Sequence, residues 1–207
     1  MAPADVKAVV IDCFPESVES HQDEDAIIAV DVIRATTVVA TAVARGRKCF
    51  PVPTLEAAVA LAEELSNPLL VGELGGNMPF GFHLNNSPAE IELRDDIERP
   101  MVLLSTSGSR LICAGNNSQS MYVACLRNWK AAARGLENRH RKIAVIGAGA
   151  RGEFREEDEL CCAWIAEELV GFGFEPQDHR TAEIINKWSG MHVVNFLAKQ
   201  IKTFPPY

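Results

Sequence analysis

No apolar run in this chain approaches the ~20 residues that a membrane span needs, and the opening MAPADVKAVVID lacks a charged segment followed by a hydrophobic one. A soluble, cytoplasmic protein is expected, with no membrane partner. Basic charge is also scarce: 20 Lys and Arg stand against 28 Asp and Glu, and a net charge of −8 argues against a nucleic-acid surface while leaving room for a local cationic pocket. The short basic run Arg139 to Lys142 reads as a solvated turn. The six cysteines (Cys13, Cys49, Cys113, Cys125, Cys161, Cys162) form no C-x-x-C pair, and the five histidines show no i, i+4 zinc spacing. Buried thiols in a reducing compartment are expected, and the histidines read as structural or surface residues, His83 in its glycine-rich loop being set apart. Internal repeats and low-complexity linkers are missing too. What remains is 207 residues, 47% hydrophobic, of a size and composition that suit one domain over residues 1–207.

The chain is organised around AIIAVDVIRATTVVATAVARG, Ala26 to Gly46. Ile27 to Val30 reads as a buried strand, and Asp31 and Arg34 then appear where an ion is costly unless it is paired or bound. The hydroxyls of Thr36 and Thr37 can cap a helix that Gly46 ends, leaving free N–H groups beside a guanidinium for an anion. Asp31 is misplaced against a bare anion but well placed if a divalent cation lies between it and a phosphate. The residues also permit a blander reading: the β-branched run from Thr36 to Val43 suits a longer strand, and Asp31 with Arg34 suits a structural ion pair.

Strand and helix patterns alternate along the rest. Strands are expected over Lys7–Ile11, Lys48–Val52, Leu69–Val71, Met101–Leu104, Ser120–Leu126 and Ile143–Ile146. Helices are expected over Thr54–Leu65, after the capping box Ser87-Pro88-Ala89-Glu90, over Asn128–Glu137, Glu156–Val170, Ala182–Trp188 and Met191–Lys199, with Pro205-Pro206 near the end. This order predicts an α/β fold, a three-layer α/β/α arrangement around a mainly parallel, or mixed, sheet with ligands at the carboxyl ends of its strands.

At those ends stand Asp31, Glu73, the hydroxyl cluster Ser105 to Ser109, and a glycine turn leading to Glu157 and Asp158. Mg²⁺ takes one or two protein carboxylates together with waters and substrate oxygens, and this set meets that demand. Glu73 also reads as a solvated strand-end acid, and Ser105-Thr106-Ser107-Gly108 as ordinary turn chemistry. Gly147, Gly149 and Gly152 imitate the G-x-G-x-x-G of dinucleotide enzymes, although Glu153, Glu156, Glu157 and Asp158 would repel a pyrophosphate. Asp12 after a strand lacks the partners of a phosphatase nucleophile of the haloacid-dehalogenase type.

Five stretches carry a family resemblance: VDVIRATTVVATAVARG, GELGG, GFHLNNSPAE, STSGS and GAGARGEFREEDELCCA. Through them the chain resembles the 2-phosphosulfolactate phosphatases. The resemblance implies a Mg²⁺-dependent phosphomonoester hydrolase that turns 2-phospho-3-sulfolactate into 3-sulfolactate on the way to coenzyme M, acting on a small anionic phosphorylated substrate; a homo-oligomer is left open. With the residue reading it places Asp31, Arg34, Glu157 and Asp158 in catalysis, Asp31, Glu73, Glu157 and Asp158 around the metal, and Thr36, Thr37, Ser105, Thr106, Ser107, Gly108, Ser109, Asn86 and Ser87 on the substrate. Arg110 and Arg151 are the candidates for its carboxylate or sulfonate end. The chain departs from the family pattern at Leu74, His83, Ser107, Ser109, Arg155 and Glu156, which keeps open an anion-binding relative with lost or altered activity.

Overall fold

The computed structural model describes residues 6–196 and 198. In chain order the elements are β1 (Ala8–Cys13), a 3₁₀ turn (Pro15–His21), β2 (Ala26–Val30), α1 (Ala35–Ala44), β3 (Cys49–Val52), α2 (Leu55–Glu64), β4 (Leu69–Gly72) and α3 (Pro88–Glu92). They continue with β5 (Met101–Leu104), α4 (Gly108–Ala114), β6 (Met121–Ala124), α5 (Trp129–Leu136), β7 (Lys142–Gly147), α6 (Glu156–Gly171), β8 (Glu175–Pro176) and α7 (His179–Trp188). The expected α/β alternation is therefore present. Between Thr36 and Val43 the chain is helical, so the β-branched residues follow their buried face and not their strand propensity.

Every pairing between these strands is parallel, but they form two sheets where one was expected. Five strands run in the order β6-β2-β7-β1-β8 and three in the order β3-β5-β4. Burial of both faces explains the continuous apolar strands. Residues alternate between faces along a strand, so Val9, Ile11, Ile28 and Val145 pack into a core with α6 residues such as Leu160 and Ile165. Val10, Ile27, Ala29 and Ile146 point the other way. They meet α1, α4 and the near face of the small sheet, including Val38, Leu111, Leu69 and Leu103. The far face of the small sheet, Val102 and Leu104, is covered by Ala58 of α2 and by Phe82. Ile27 and Ile28 are fully buried, and such a side chain contributes roughly 1.5–3 kcal/mol, so an acid at either position would break the central strand.

Helix ends follow local chemistry. Thr54 caps α2 by accepting from the Ala57 N–H at 3.1 Å, and Asp178 caps α7 by accepting from the Thr181 N–H at 2.7 Å, which starts that helix three residues before the apolar pattern indicates. The α1 start corrects the sequence reading: Arg34 holds the cap position without a side-chain bond, and neither threonine caps the helix. Of the Met191–Lys199 stretch, Leu197 and Lys199 lie outside the described residues, as does Pro205-Pro206. Among the described residues no helix is long and apolar enough to cross a membrane.

Candidate active site

Because all strands in each sheet are parallel, β2 and β7 deliver Asp31 and the loop to α6 at one rim, while β4 and β5 deliver Glu73 and Ser105 at the rim of the other sheet. The two rims meet at Gly108, where an added Cβ would stand 2.1 Å from Asp31 Oδ2 and 2.5 Å from Ala35 Cβ. Only a glycine lets the α4 turn approach the carboxylate this closely.

The loop after β2 is wound on Thr36. Its hydroxyl accepts from the Asp31 N–H at 2.9 Å and donates to the Asp31 carbonyl at 2.7 Å, while Thr37 donates to the Val32 carbonyl at 2.7 Å. Both hydroxyls hold the loop's own backbone. Asp31 is 6% exposed, and burial, followed by the charges of Glu73 and Glu157, pushes its carboxyl up to about 7 against the pull of the Ala35 N–H and Arg34. Asp158 is buried on the first turn of α6, with its affinity for a proton raised by burial and then by Asp31. It accepts from the Val32 N–H at 2.8 Å and the Gly149 N–H at 3.3 Å, so it ties the loop after β2 to the loop after β7. Glu157 stands next to it, half-buried.

Glu73 behaves in the opposite way. Burial alone would raise its carboxyl, but N–H groups of Thr106 and Gly76 and hydroxyls of Thr106 and Ser105 hold it below the usual range. Ser109 is fully buried, accepting from the Ser105 N–H at 2.8 Å and donating to the Ser105 carbonyl at 2.9 Å. Ser107 occupies the cap position of α4 with no side-chain cap bond.

The other expected ligands are spread out. Ser87 caps α3, accepting from the Glu90 N–H at 3.4 Å, and Asn86 is buried with Oδ1 unpartnered among the described residues. Arg110 lies 3.3 Å from Glu16 and lines a separate cleft of about 380 Å³ with Pro15, Pro53 and Cys113. Arg151 is exposed in a left-handed turn at φ 54°. Asp12 is spent on His21 at 2.9 Å and Arg180 at 3.4 Å.

Among the described residues no three His, Cys, Asp or Glu side chains come together as a metal cluster, so the four expected acids do not form one ligand set. Asp158 and Glu73 have each carboxylate oxygen engaged by N–H or O–H donors. Asp31, buried amid negative charge, is the acid whose surroundings favour a cation, and Mg²⁺ needs only one or two carboxylates. Of the glycines after β7, two are packed against aromatic rings, since a Cβ on Gly147 would stand 2.3 Å from Phe154 and one on Gly149 2.6 Å from Phe14, while Gly152 has open space.

A family model described as 2-phosphosulpholactate phosphatase matches residues 12–198, a span that holds every residue of this rim. The chain belongs to the 2-phosphosulpholactate phosphatase family. Within it, the chain is 37% identical over 151 residues to a probable 2-phosphosulfolactate phosphatase of Pseudothermotoga lettingae, covering 73% of this chain and 65% of that protein. Similar proteins of the same description occur in Clostridium perfringens, 34% identical over 148 residues (69% and 60% covered), and Carboxydothermus hydrogenoformans, 32% identical over 146 residues (70% and 60% covered). The chain therefore spans 60–65% of the length of these relatives.

Sequence reasoning missed the backbone partners of the site: the N–H groups of Val32, Gly149, Gly75 and Gly76 bind carboxylates or hydroxyls, yet a backbone donor leaves no mark in residue identity.

Proposed function

We propose that this chain is a divalent-metal-assisted phosphomonoester hydrolase that releases phosphate from a small anionic 2-phospho acid in the cytoplasm, 2-phospho-3-sulfolactate on the route to coenzyme M being the substrate that the family suggests. The observation that carries this reading is a buried acid, Asp31, with its carboxyl raised to about 7, pressed against the Gly108 turn where two strand rims meet.

Asp31 and Glu157 would hold Mg²⁺, which when bound offsets charge on phosphoryl oxygens and acidifies a bound water. In this reading Arg34, at the start of α1, and Ser107, at the start of α4 with no capping bond, would supply the phosphate contacts from the two rims. Asp158 keeps the Asp31 loop in register through Val32.

The test is phosphate release from a panel of 2-phospho acids with Mg²⁺ or with chelator, repeated for Asp31→Asn. Metal-dependent turnover that falls about 100-fold or more in the variant is expected, the size typical of losing a transition-state electrostatic partner. Full metal-dependent activity in Asp31→Asn would remove Asp31 from the mechanism, and thermal stabilisation by a 2-phospho acid without turnover would identify a binding protein instead.

A further inference from the structure

Glu73 stands just past the carboxyl end of β4, on the rim of the small sheet. Its Oε1 accepts from the Thr106 N–H at 2.8 Å and the Ser105 hydroxyl at 3.1 Å, and its Oε2 accepts from the Gly76 N–H at 2.7 Å and the Thr106 hydroxyl at 2.9 Å. An ionised carboxylate offers about four acceptor positions, so this one is saturated. The Thr106 oxygen in turn accepts from the Gly75 N–H at 2.8 Å. Gly75 and Gly76 form the centre of a tight turn, with φ of 61° and 89°, closed by the pairing of Leu74 with Asn77. One side chain thus joins the end of β4, the glycine turn beyond it, and the turn between β5 and α4. That last turn carries Gly108 against Asp31 with no room for even one added carbon.

We propose that Glu73 is a positioning residue: acting through Thr106 and Ser105, it holds the Ser105–Gly108 turn at its working distance from Asp31, and it does not hold metal. The inference rests on the hydrolase reading for its kinetic part and stands apart from that reading for its binding part. The four donors use the carboxylate's acceptor positions, so a cation could bind it only by displacing at least one of those bonds. An amide in its place must turn one N–H₂ group toward an N–H or O–H donor, and the latch opens while the side chain keeps its shape.

Glu73→Gln, Glu73→Asp and Thr106→Val test it, with Asp31→Asn as the reference for metal loss. Inorganic phosphate and Mn²⁺ are titrated separately by calorimetry, and kcat, KM and the Mg²⁺ concentration for half-activation are measured alongside. Glu73→Gln is expected to lower kcat about 10- to 100-fold, the scale of a sub-ångström to 1 Å displacement, and to weaken phosphate binding, whereas Glu73→Asp, which keeps the charge that Asp31 feels, leaves Mn²⁺ affinity within about threefold. Thr106→Val keeps the carboxylate and removes the oxygen between it and Gly75, and it is expected to reproduce most of that loss. Should Glu73→Gln fail to fold, Thr106→Val and Glu73→Asp carry the same readings. A tenfold or greater loss of Mn²⁺ affinity in the charge-keeping Glu73→Asp, matched by Asp31→Asn and absent from Thr106→Val, would overturn the proposal in favour of a metal ligand. So would unchanged kcat and phosphate binding in a Glu73→Gln protein that is merely less stable. If the parent protein releases no phosphate from any substrate, the hydrolase reading fails, and the phosphate titrations still decide the role of Glu73.

Discussion

Asp31 and Glu73 each follow a parallel strand, and both acids lie close enough to influence the same electrostatic neighbourhood, yet their environments drive them in opposite directions. Asp31 is almost wholly buried with few donors, and its carboxyl is raised to about 7; Glu73 is half-exposed, wrapped by four donors, and held below its ordinary range. Burial penalises both charges, and hydrogen bonds repay that penalty only for Glu73. The rim from the small sheet is therefore finished within the protein, while the rim from the large sheet keeps a carboxylate that is stabilised by a proton or a cation.

The contrast can be broken most forcefully at Asp31. A carboxyl whose proton is held more tightly in the folded than in the unfolded chain contributes stability that is fully present below its unfolded value of 3.8 and is lost as pH rises through about 7. In metal-free buffer near pH 8, Asp31→Asn is expected to raise the unfolding free energy, with a ceiling of about 4 kcal/mol at about 1.4 kcal/mol per pKa unit. Near pH 4 the gain should shrink toward zero, and urea unfolding at both pH values measures it. A variant less stable than its parent near pH 8 would show that the carboxylate is compensated after all.

Gly108→Ala tests the seam between the rims. The added carbon must displace Asp31 or the α4 turn, and overpacking of this kind costs about 1–3 kcal/mol, read by the same urea series, with a roughly tenfold or greater fall in phosphate release. Ser109→Ala sharpens the comparison with the smallest effect: the Ser105 N–H loses its acceptor, at about 1 kcal/mol, while turnover stays within about twofold because that hydroxyl serves the backbone.

How much of this was readable in the residues follows from what kind of information each feature needs. The α/β alternation, the element positions and the convergence of Asp31 with Asp158 follow from periodicity and from the rule that parallel strands present their carboxyl ends together. The division into two sheets did not show, because β3, β5 and β4 carry the same apolar signal whether they extend one sheet or start another. Hydroxyl roles were invisible for a related reason. Thr36, Thr37 and Ser109 have the composition of an anion site, yet each bonds to a carbonyl four or five residues back, and residue type alone does not tell a hydroxyl facing a ligand from one facing its own loop. For Glu73, acidity at a strand end is visible in the sequence, whereas the N–H and hydroxyl donors around its carboxylate are not.

The pairing of β2 with β7 joins Ala26 to Ile143, so the strand leading to Asp31 waits for more than half the chain before it acquires that neighbour, and Asp158 arrives later still. During synthesis the first acid leaves the ribosome long before the helix that will bury it, and contacts so distant in sequence form slowly. The cation site proposed at Asp31 would thus exist only once these distant contacts have closed, and its appearance in a refolding experiment would time that closure.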